Sequence, residues 1–209
     1  MEKIKLPGKN CGLCGFKTCD ELITHIENNT KTIQDCPFMV KGKIPKGADE
    51  VQYSENDILG VPYDFILDPA PGEISARKIV LPFRGDLVEK WNIKKGDVVL
   101  GRPMGQGCPV QHVLKVIEAN PITGVITSWV VGPQYTRNNM NEVKDVQAYH
   151  VIAFEGIAKP VRKEPEMGRR QAFLPGYCMM NLAHTAVVNM ILKKTEGLFV
   201  HLEDIRIIN

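Results

Sequence analysis

The stretch NCGLCGFKTCDELITHIENNTKTIQDCP, residues 10–37 of this 209-residue chain, decides how its first part folds. It has the pattern C-x2-C-x4-C-x16-C-P, with cysteines at Cys11, Cys14, Cys19 and Cys36. Thiolates bind soft metals, and a compact set of three cysteines followed by a remote Cys-Pro is typical of iron–sulfur proteins. The pattern therefore predicts one [4Fe–4S] cluster with these four cysteines as its ligands.

A structural zinc ion is the alternative occupant of the four cysteines. Zinc sites usually use two C-x2-C pairs, one on each side of the tetrahedron. This stretch has a single pair, Cys11 and Cys14, then a lone cysteine after a four-residue gap and a distant Cys-Pro. That asymmetry favours a cubane, whose four irons are spread over a larger volume. The zinc alternative, in which the chain is an assembly or regulatory module, stays open.

A short helix is expected directly after the third cysteine. Residues 18–21 would open it with acidic side chains in the first turn, and Leu22, Ile23 and Ile26 would form its apolar stripe. Asn28 would end it. The cluster would then lie against the N-terminal turn, where the helix dipole stabilises negative charge.

The cysteine stretch also resembles a known family of cluster modules. Its C-x2-C-G-x3-C pattern and later Cys-Pro are similar to the [4Fe–4S] module at the N-terminus of the corrinoid iron–sulfur protein large subunit. The module in the B subunit of Rnf-type ferredoxin-oxidising complexes is similar as well. The matching residues are Cys11, Cys14, Gly15, Cys19, Cys36 and Pro37. The resemblance spans residues 8–40 and implies that the four cysteines ligate the cluster.

The resemblance further implies the kind of partner. The similar modules work beside enzymes of anaerobic one-carbon metabolism. The resemblance therefore implies a larger oxidoreductase, a corrinoid protein or a ferredoxin as the redox partner. Nothing after residue 60 resembles the TIM barrel or the cobalamin domain of the corrinoid protein, and no further ferredoxin-type cysteine sets follow. We therefore expect the module to be joined to a β domain of another kind.

Charge and hydropathy argue against several function classes. A net charge of +2 and a pI near 8.2 give no strong attraction to nucleic acid or to an anionic membrane. The N-terminus lacks the apolar core of a signal peptide, and no apolar run reaches the roughly 18 residues of a membrane helix. A soluble cytoplasmic protein without a membrane span is expected. In that reducing compartment, clustered cysteines indicate metal binding rather than disulfides.

The chain divides by composition into three parts. Residues 1–45 are predicted to form the cluster module, residues 46–60 a polar linker and residues 61–209 a second domain. From residue 61, short runs rich in Val and Ile are bounded by Gly, Pro or Asn at about ten-residue spacing, which is typical of a barrel or a sandwich. Residues 84–97 predict one short helix closed by a turn.

A C-terminal helix is predicted over GYCMMNLAHTAVVNMILKK, residues 176–194, because its apolar residues follow helical spacing: Met179, Leu182, Ala186, Val187 and Met190. A final strand follows it. The predicted fold class is therefore α+β: a small N-terminal helical [4Fe–4S] module, then a mainly β, barrel-like domain with a C-terminal helix.

Two further cysteines and two histidines are candidates for a second site. Cys108 and His112 lie in the glycine-rich stretch GRPMGQGCPVQH, and Cys178 and His184 lie in the predicted C-terminal helix. Together they could form a second metal site, and Cys108 could pack near the cluster and gate electron exit. The favoured interpretation is that the cysteines are small buried residues and the histidines hydrogen-bonded side chains.

Electron transfer is the function that these observations favour. The protein would pass single electrons through its cluster to a partner enzyme, as a subunit of an oxidoreductase complex rather than as a stand-alone enzyme. One alternative is a cluster-dependent enzyme whose β domain binds a substrate or cofactor beside residues 101–112. The other is the structural-zinc assembly factor. No hydrolase or kinase motif is present in the sequence.

Overall fold

The computed structural model describes residues 4–6, 8, 10, 14–36, 39, 55–105, 108, 110–137, 142–178 and 180–208 of the chain. In the N-terminal part, helix α1 spans Cys19–Glu27. The Thr18 hydroxyl caps it by accepting a hydrogen bond from an amide of the first turn at 3.2 Å, and Asn28 ends it. These bounds confirm the helix predicted after the third cysteine. A 3₁₀ helix at Ile33–Asp35 then leads into Cys36.

The rest of the described chain is mainly β. Two short helices connect strands, α2 at Asp86–Lys90 and α3 at Gln134–Arg137, and α2 confirms the helix predicted within residues 84–97. The strands are β1 Phe65–Asp68, β2 Arg77–Pro82, β3 Val98–Pro103, β4 His112–Ala119, β5 Ile126–Val131, β6 Lys144–Pro160, β7 Arg170–Pro175, β8 His184–Lys194 and β9 Gly197–Ile207. Each helix of the described residues is too short or too polar to span a membrane.

The strands close into two five-stranded rings that share β6. In the first ring β1, β7, β8, β9 and β6 pair in that order, and β6 pairs back with β1. In the second ring β6, β2, β5, β4 and β3 pair in that order, and β3 pairs back with β6. Strand β6 can serve both rings because it is 17 residues long: its start pairs with β3 and its end with β1.

One hydrophobic core runs through both rings. Phe65 and Phe173 of the first ring stack with their centroids 5.9 Å apart, and Phe154 of the shared strand meets Phe173 edge to face at 6.0 Å. The same core continues into the second ring through fully buried residues such as Val80 and Leu114. Burial of this apolar surface is the dominant favourable term in the folding of the β domain.

The prediction of a C-terminal helix is wrong, because residues 184–194 form strand β8. Burial alternates along its first half, where His184, Ala186 and Val188 are buried and the residues between them are half-buried. The spacing of Leu182, Ala186 and Met190 fits a strand as well as a helix, and only Met179 and Val187 favoured the helix. Hydrogen bonding to β7 on one side and to β9 on the other decides for the strand.

The predicted fold class is therefore corrected. The described chain is mainly β, with three short α-helices, and it is not a helical module followed by a barrel-like domain that ends in a helix. The boundaries at residues 45 and 60 stay predictions, because most of the predicted linker lies outside the described residues. Its described end is built into the β domain, where the buried Asp57 carboxylate accepts a hydrogen bond from the Ala183 amide at 2.8 Å.

The N-terminal part lies against the second ring. The Asn10 side-chain amide donates a hydrogen bond to the Ile74 carbonyl at 3.3 Å. The Lys17 ammonium lies 5.5 Å from the centre of the Tyr135 ring. Burial and the nearby negative charge of Glu21 raise the pKa of Tyr135. These contacts place the chain just before α1 beside α3 and beside the segment that precedes β2.

Candidate functional site

Three of the four predicted cluster ligands lie within the described residues. None of Cys14, Cys19 and Cys36 is joined in a disulfide. Cys36 is buried, whereas the other two are half-buried. Cys11 lies outside the described residues, so its role as the fourth ligand stays a prediction.

Local backbone geometry around the cysteines is unusual. Gly15, directly after Cys14, has a φ of +94°, a conformation that glycine adopts without steric cost. Asn10 has a φ of +45°, and its side-chain oxygen accepts a hydrogen bond from the Cys19 amide at 2.7 Å. Asn10 thereby ties the chain before the cysteines to the first residue of α1.

The donor set of this region fits an iron–sulfur cluster. Within the described part of the chain, no three His, Cys, Asp or Glu side chains converge closely enough to hold a single metal ion. A cubane differs from a single ion because each thiolate binds a different iron, which spreads the ligands apart. All three described donors are sulfur, the ligand that iron–sulfur clusters use.

A second cluster of chemical groups lies inside the β domain, around the side chain of Lys78. Lys78 belongs to β2, and only 1% of its surface is exposed. Its ammonium nitrogen lies 2.7 Å from Nδ1 of His112 and 3.0 Å from the hydroxyl of Tyr149. The hydroxyl of Tyr149 lies 3.1 Å from the same imidazole nitrogen. His112 Nε2 in turn lies 3.7 Å from the Cys108 sulfur.

Burial dominates the electrostatics of this group. It lowers the pKa of Lys78 to about 7, because a charged ammonium loses its water shell there. Burial, and then the charge of Lys78, holds the pKa of His112 well below its usual value. Burial also holds the pKa of Tyr149 well above its usual value. At neutral pH the imidazole is therefore a neutral acceptor and the phenol a protonated donor.

A mostly apolar pocket opens beside Lys78, with a cavity volume of about 60 Å³. Strands of both rings line it, since Lys78 and His112 come from the second ring and His184 and Ile205 from the first. The exposed Met180 is also part of the lining, so the pocket reaches the surface there.

The structure brings Cys108, His112, Cys178 and His184 to this one pocket. The described residues do not support the second metal site that these four suggest, because no three such ligands converge. Both histidines instead have hydrogen-bond partners, since His184 Nδ1 lies 3.0 Å from the Leu182 carbonyl. Burial lowers the pKa of His184 to about 4. The favoured sequence interpretation of the two histidines is thus confirmed.

No sequence pattern indicated Lys78, Tyr149 or Tyr177 as site residues. In the run RKIVLP, alternation suggests that Ile79 and Leu81 point inward and that Lys78 points to solvent. The observed burial is the reverse, with Lys78 and Val80 buried and Ile79 and Leu81 half-buried. No signal in the sequence could have found this lysine.

Comparison with known proteins extends the picture. Residues 6–38 match the family model described as "Putative Fe-S cluster", which supports an iron–sulfur module in the cysteine region. The chain is also similar to the "Uncharacterized protein MJ0119" of Methanocaldococcus jannaschii. The two are 34% identical over 214 residues, which cover 96% of this chain and 89% of the relative. No solved structure matches the chain. The protein therefore belongs to the same family as the Methanocaldococcus protein, and its N-terminal region carries an iron–sulfur motif.

Proposed function

We propose that the protein is an electron-transfer protein that carries one [4Fe–4S] cluster on Cys11, Cys14, Cys19 and Cys36. The observation that carries this proposal is an all-thiol donor set, free of disulfides, within the segment that matches the iron–sulfur family. When bound, a [4Fe–4S] cluster accepts and releases single electrons. Binding of a cluster also agrees with a reducing compartment, and we propose the cytoplasm.

The chain's own residues position and expose the ligands. Asn10 holds the backbone of Cys19, and the positive end of the α1 dipole stabilises negative charge beside that residue. Cys14 and Cys19 are half-buried and Gly15 is exposed. A partner protein can thus approach this side of the molecule closely. We propose a larger oxidoreductase, a corrinoid protein or a ferredoxin of anaerobic one-carbon metabolism as that partner.

The first experiment is anaerobic purification with iron and sulfide analysis, followed by EPR of the dithionite-reduced protein. We expect about four irons and four sulfides per chain and a low-temperature S = 1/2 signal. The variant Cys19→Ser should lose both the iron and the signal. Cys178→Ser is the matched control and should keep both, because Cys178 lies in the β domain. One zinc with no sulfide would contradict the proposal and support the structural-zinc alternative.

The partner class is tested by electron exchange. A reduced ferredoxin mixed anaerobically with the oxidised protein should bleach the visible absorbance of the cluster within the mixing time of a stopped-flow instrument. Corrinoid protein is tested in the same way with the reduced form of this protein as donor. Failure of both exchanges, with an intact cluster by EPR, would point to a larger oxidoreductase.

A further inference from the structure

We propose that the β domain contains a second functional site, in which Lys78 forms an imine with a small, apolar aldehyde or ketone. The site is the pocket between the two rings, with Lys78, His112 and Tyr149 at its polar end. It is separate from the cysteine region and does not depend on electron transfer.

The surroundings of Lys78 suit a neutral amine. Its described hydrogen-bond partners are an imidazole and a phenol, and neither is a carboxylate. The rings of Tyr149 and Phe154 lie 5.0 Å and 5.6 Å from the nitrogen and offer only weak compensation for a positive charge. Burial makes a charged ammonium costly, and this effect outweighs the negative charges of Cys108 and Cys178, which favour the ammonium, so the amine gives up its proton near neutral pH. A desolvated, neutral lysine is the form that attacks carbonyl groups.

Two neighbours can move the protons that imine formation requires. The Nζ lone pair attacks the carbonyl carbon, the C–N bond forms and the carbonyl π bond breaks, while one proton passes from nitrogen to the former carbonyl oxygen. The nitrogen then loses its second proton, a proton is delivered in turn to the hydroxyl, the C–O bond breaks as one water molecule leaves, and a C=N bond forms. His112 Nδ1 can accept a proton from nitrogen and the Tyr149 hydroxyl can donate one to oxygen. The step involves no oxidation or reduction.

The walls of the pocket indicate what the ligand looks like. Apolar side chains predominate, among them Val130, Val151, Phe154 and Ile205. A volume of about 60 Å³ is several times the roughly 10–15 Å³ that one water occupies on the same measure, so a molecule of a few carbons fits. An anion would bring a charge between these apolar walls, whereas a neutral carbonyl compound and its neutral imine bring none.

A buried hydroxyl in the same wall lacks a partner. The hydroxyl of Tyr177 is buried and makes no hydrogen bond to the described residues. Such a group costs free energy unless something binds it, and a ligand in the pocket could do so. Tyr177 lines the pocket together with Lys78, so its hydroxyl offers a ligand oxygen a second polar contact.

Reductive trapping tests the proposal. The purified protein is treated near neutral pH with formaldehyde or with butanal in the presence of sodium cyanoborohydride, and the modified lysines are mapped by peptide mass spectrometry. We expect Lys78 to be labelled at least about 10-fold faster than exposed lysines, which are almost wholly protonated at this pH. Its labelling should rise with pH through neutrality. Four titratable groups that face Lys78 keep their protonation state in this pH range: His112, His184, Tyr149 and Tyr177. Cys108 and Cys178 also face it, and the mass map shows directly whether either side chain reacts with the probe.

Variants distinguish labelling at Lys78 from the labelling of other lysines. Lys78→Met should remove the fast labelling, whereas Lys95→Met, at an exposed lysine, should leave it unchanged. Tyr149→Phe should slow the labelling of Lys78 because it removes the proton donor. Wild-type protein in which Lys78 reacts no faster than exposed lysines with either probe would overturn the proposal. Since labelling is read by mass and the cluster by EPR, either proposal can fail while the other stands.

Discussion

The cysteine region and the β domain are built on opposite principles. Among the described residues 14–36, only Leu22 and Cys36 are buried. The β domain instead has a continuous core through both of its rings. Segments of fewer than about 40 residues rarely fold on apolar burial alone and commonly rely on bound metal. We therefore infer that the first region depends on the proposed cluster for its fold, whereas the second depends on its core.

The two regions also differ in how their chemistry is encoded. The four cysteines lie within residues 11–36. In the pocket, Lys78 meets His112 from 34 positions away and Tyr149 from 71 positions away. Ligands of the first kind are recognised by spacing along the chain. Groups of the second kind become neighbours only when the strands pair.

Removal of the cluster should produce the largest difference between the two regions. We expect an iron chelator under mild oxidation to abolish amide protection in residues 14–36 and to leave the strands of the β domain protected, because the thiolate–iron bonds replace a core in the first region. Hydrogen–deuterium exchange mass spectrometry of holo and treated protein measures both regions at once.

Two results would contradict that expectation. Unchanged protection in residues 14–36 would show that the region folds without its cluster. Loss of protection in β6 at the same time would show that both regions unfold as one unit. Protein treated with the oxidant alone and re-reduced is the control for damage to other residues.

Gly156→Ala perturbs the packing of the β domain and leaves the cysteine region unchanged. Gly156 lies in the shared strand β6, and a Cβ at this position would lie 2.4 Å from the Asp68 carbonyl oxygen. Because that atom belongs to the backbone of β1, the clash requires the strands to separate. We expect the free energy of unfolding to fall by roughly 3 kcal/mol or more, measured by urea denaturation.

Gly168→Ala is the matched control for this variant. Gly168 has a φ of +79°, but no atom lies within 4 Å of the position of its Cβ. The strained backbone alone should cost about 1 kcal/mol. Equal effects of the two variants would show that the contact between β1 and β6 is not tightly packed. The EPR signal of the cluster should be the same in both variants while they are folded.

Lys78→Met has a smaller expected effect than Gly156→Ala, and this effect depends on pH. Since burial lowers the pKa of Lys78 to about 7, the unfolded chain binds one more proton than the folded chain between about pH 7 and about pH 10. Wild-type stability should therefore rise with pH through this window, and the contribution of Lys78 is lost as the pH falls toward 7. The variant should lack about 2 kcal/mol of that rise between about pH 7 and about pH 9.

Urea denaturation at several pH values measures this difference. Lys95→Met should keep the wild-type pH dependence, because Lys95 is exposed and its surroundings change little on folding. If the free energy of unfolding of Lys78→Met rises with pH as steeply as that of the wild type, Lys78 does not change its protonation on folding. That result would contradict a neutral amine in the pocket.

Local signals explain which elements could be predicted. Helix α1 was predictable because its N-terminal and C-terminal signals, Thr18 and Asn28, lie directly beside it. Strand β8 was not, because its apolar spacing fits a helix as well, and its pairing with β7 and β9 involves distant segments. The inward orientation of Lys78 was not predictable either, because the apolar Ile79 and Leu81 beside it suggest that the other face of β2 is the buried one.

The sequence by itself determined the cysteine set, the iron–sulfur character of residues 6–38 and the helix that follows the third cysteine. These features depend on residues near one another in the chain, where spacing limits geometry. The sharing of β6 by two rings became visible only in the folded protein, as did the meeting of Lys78, His112 and Tyr149 at one pocket. Those contacts arise from strand pairing over long separations, which no local pattern specifies, because a shift of one residue in register turns every side chain to the other face.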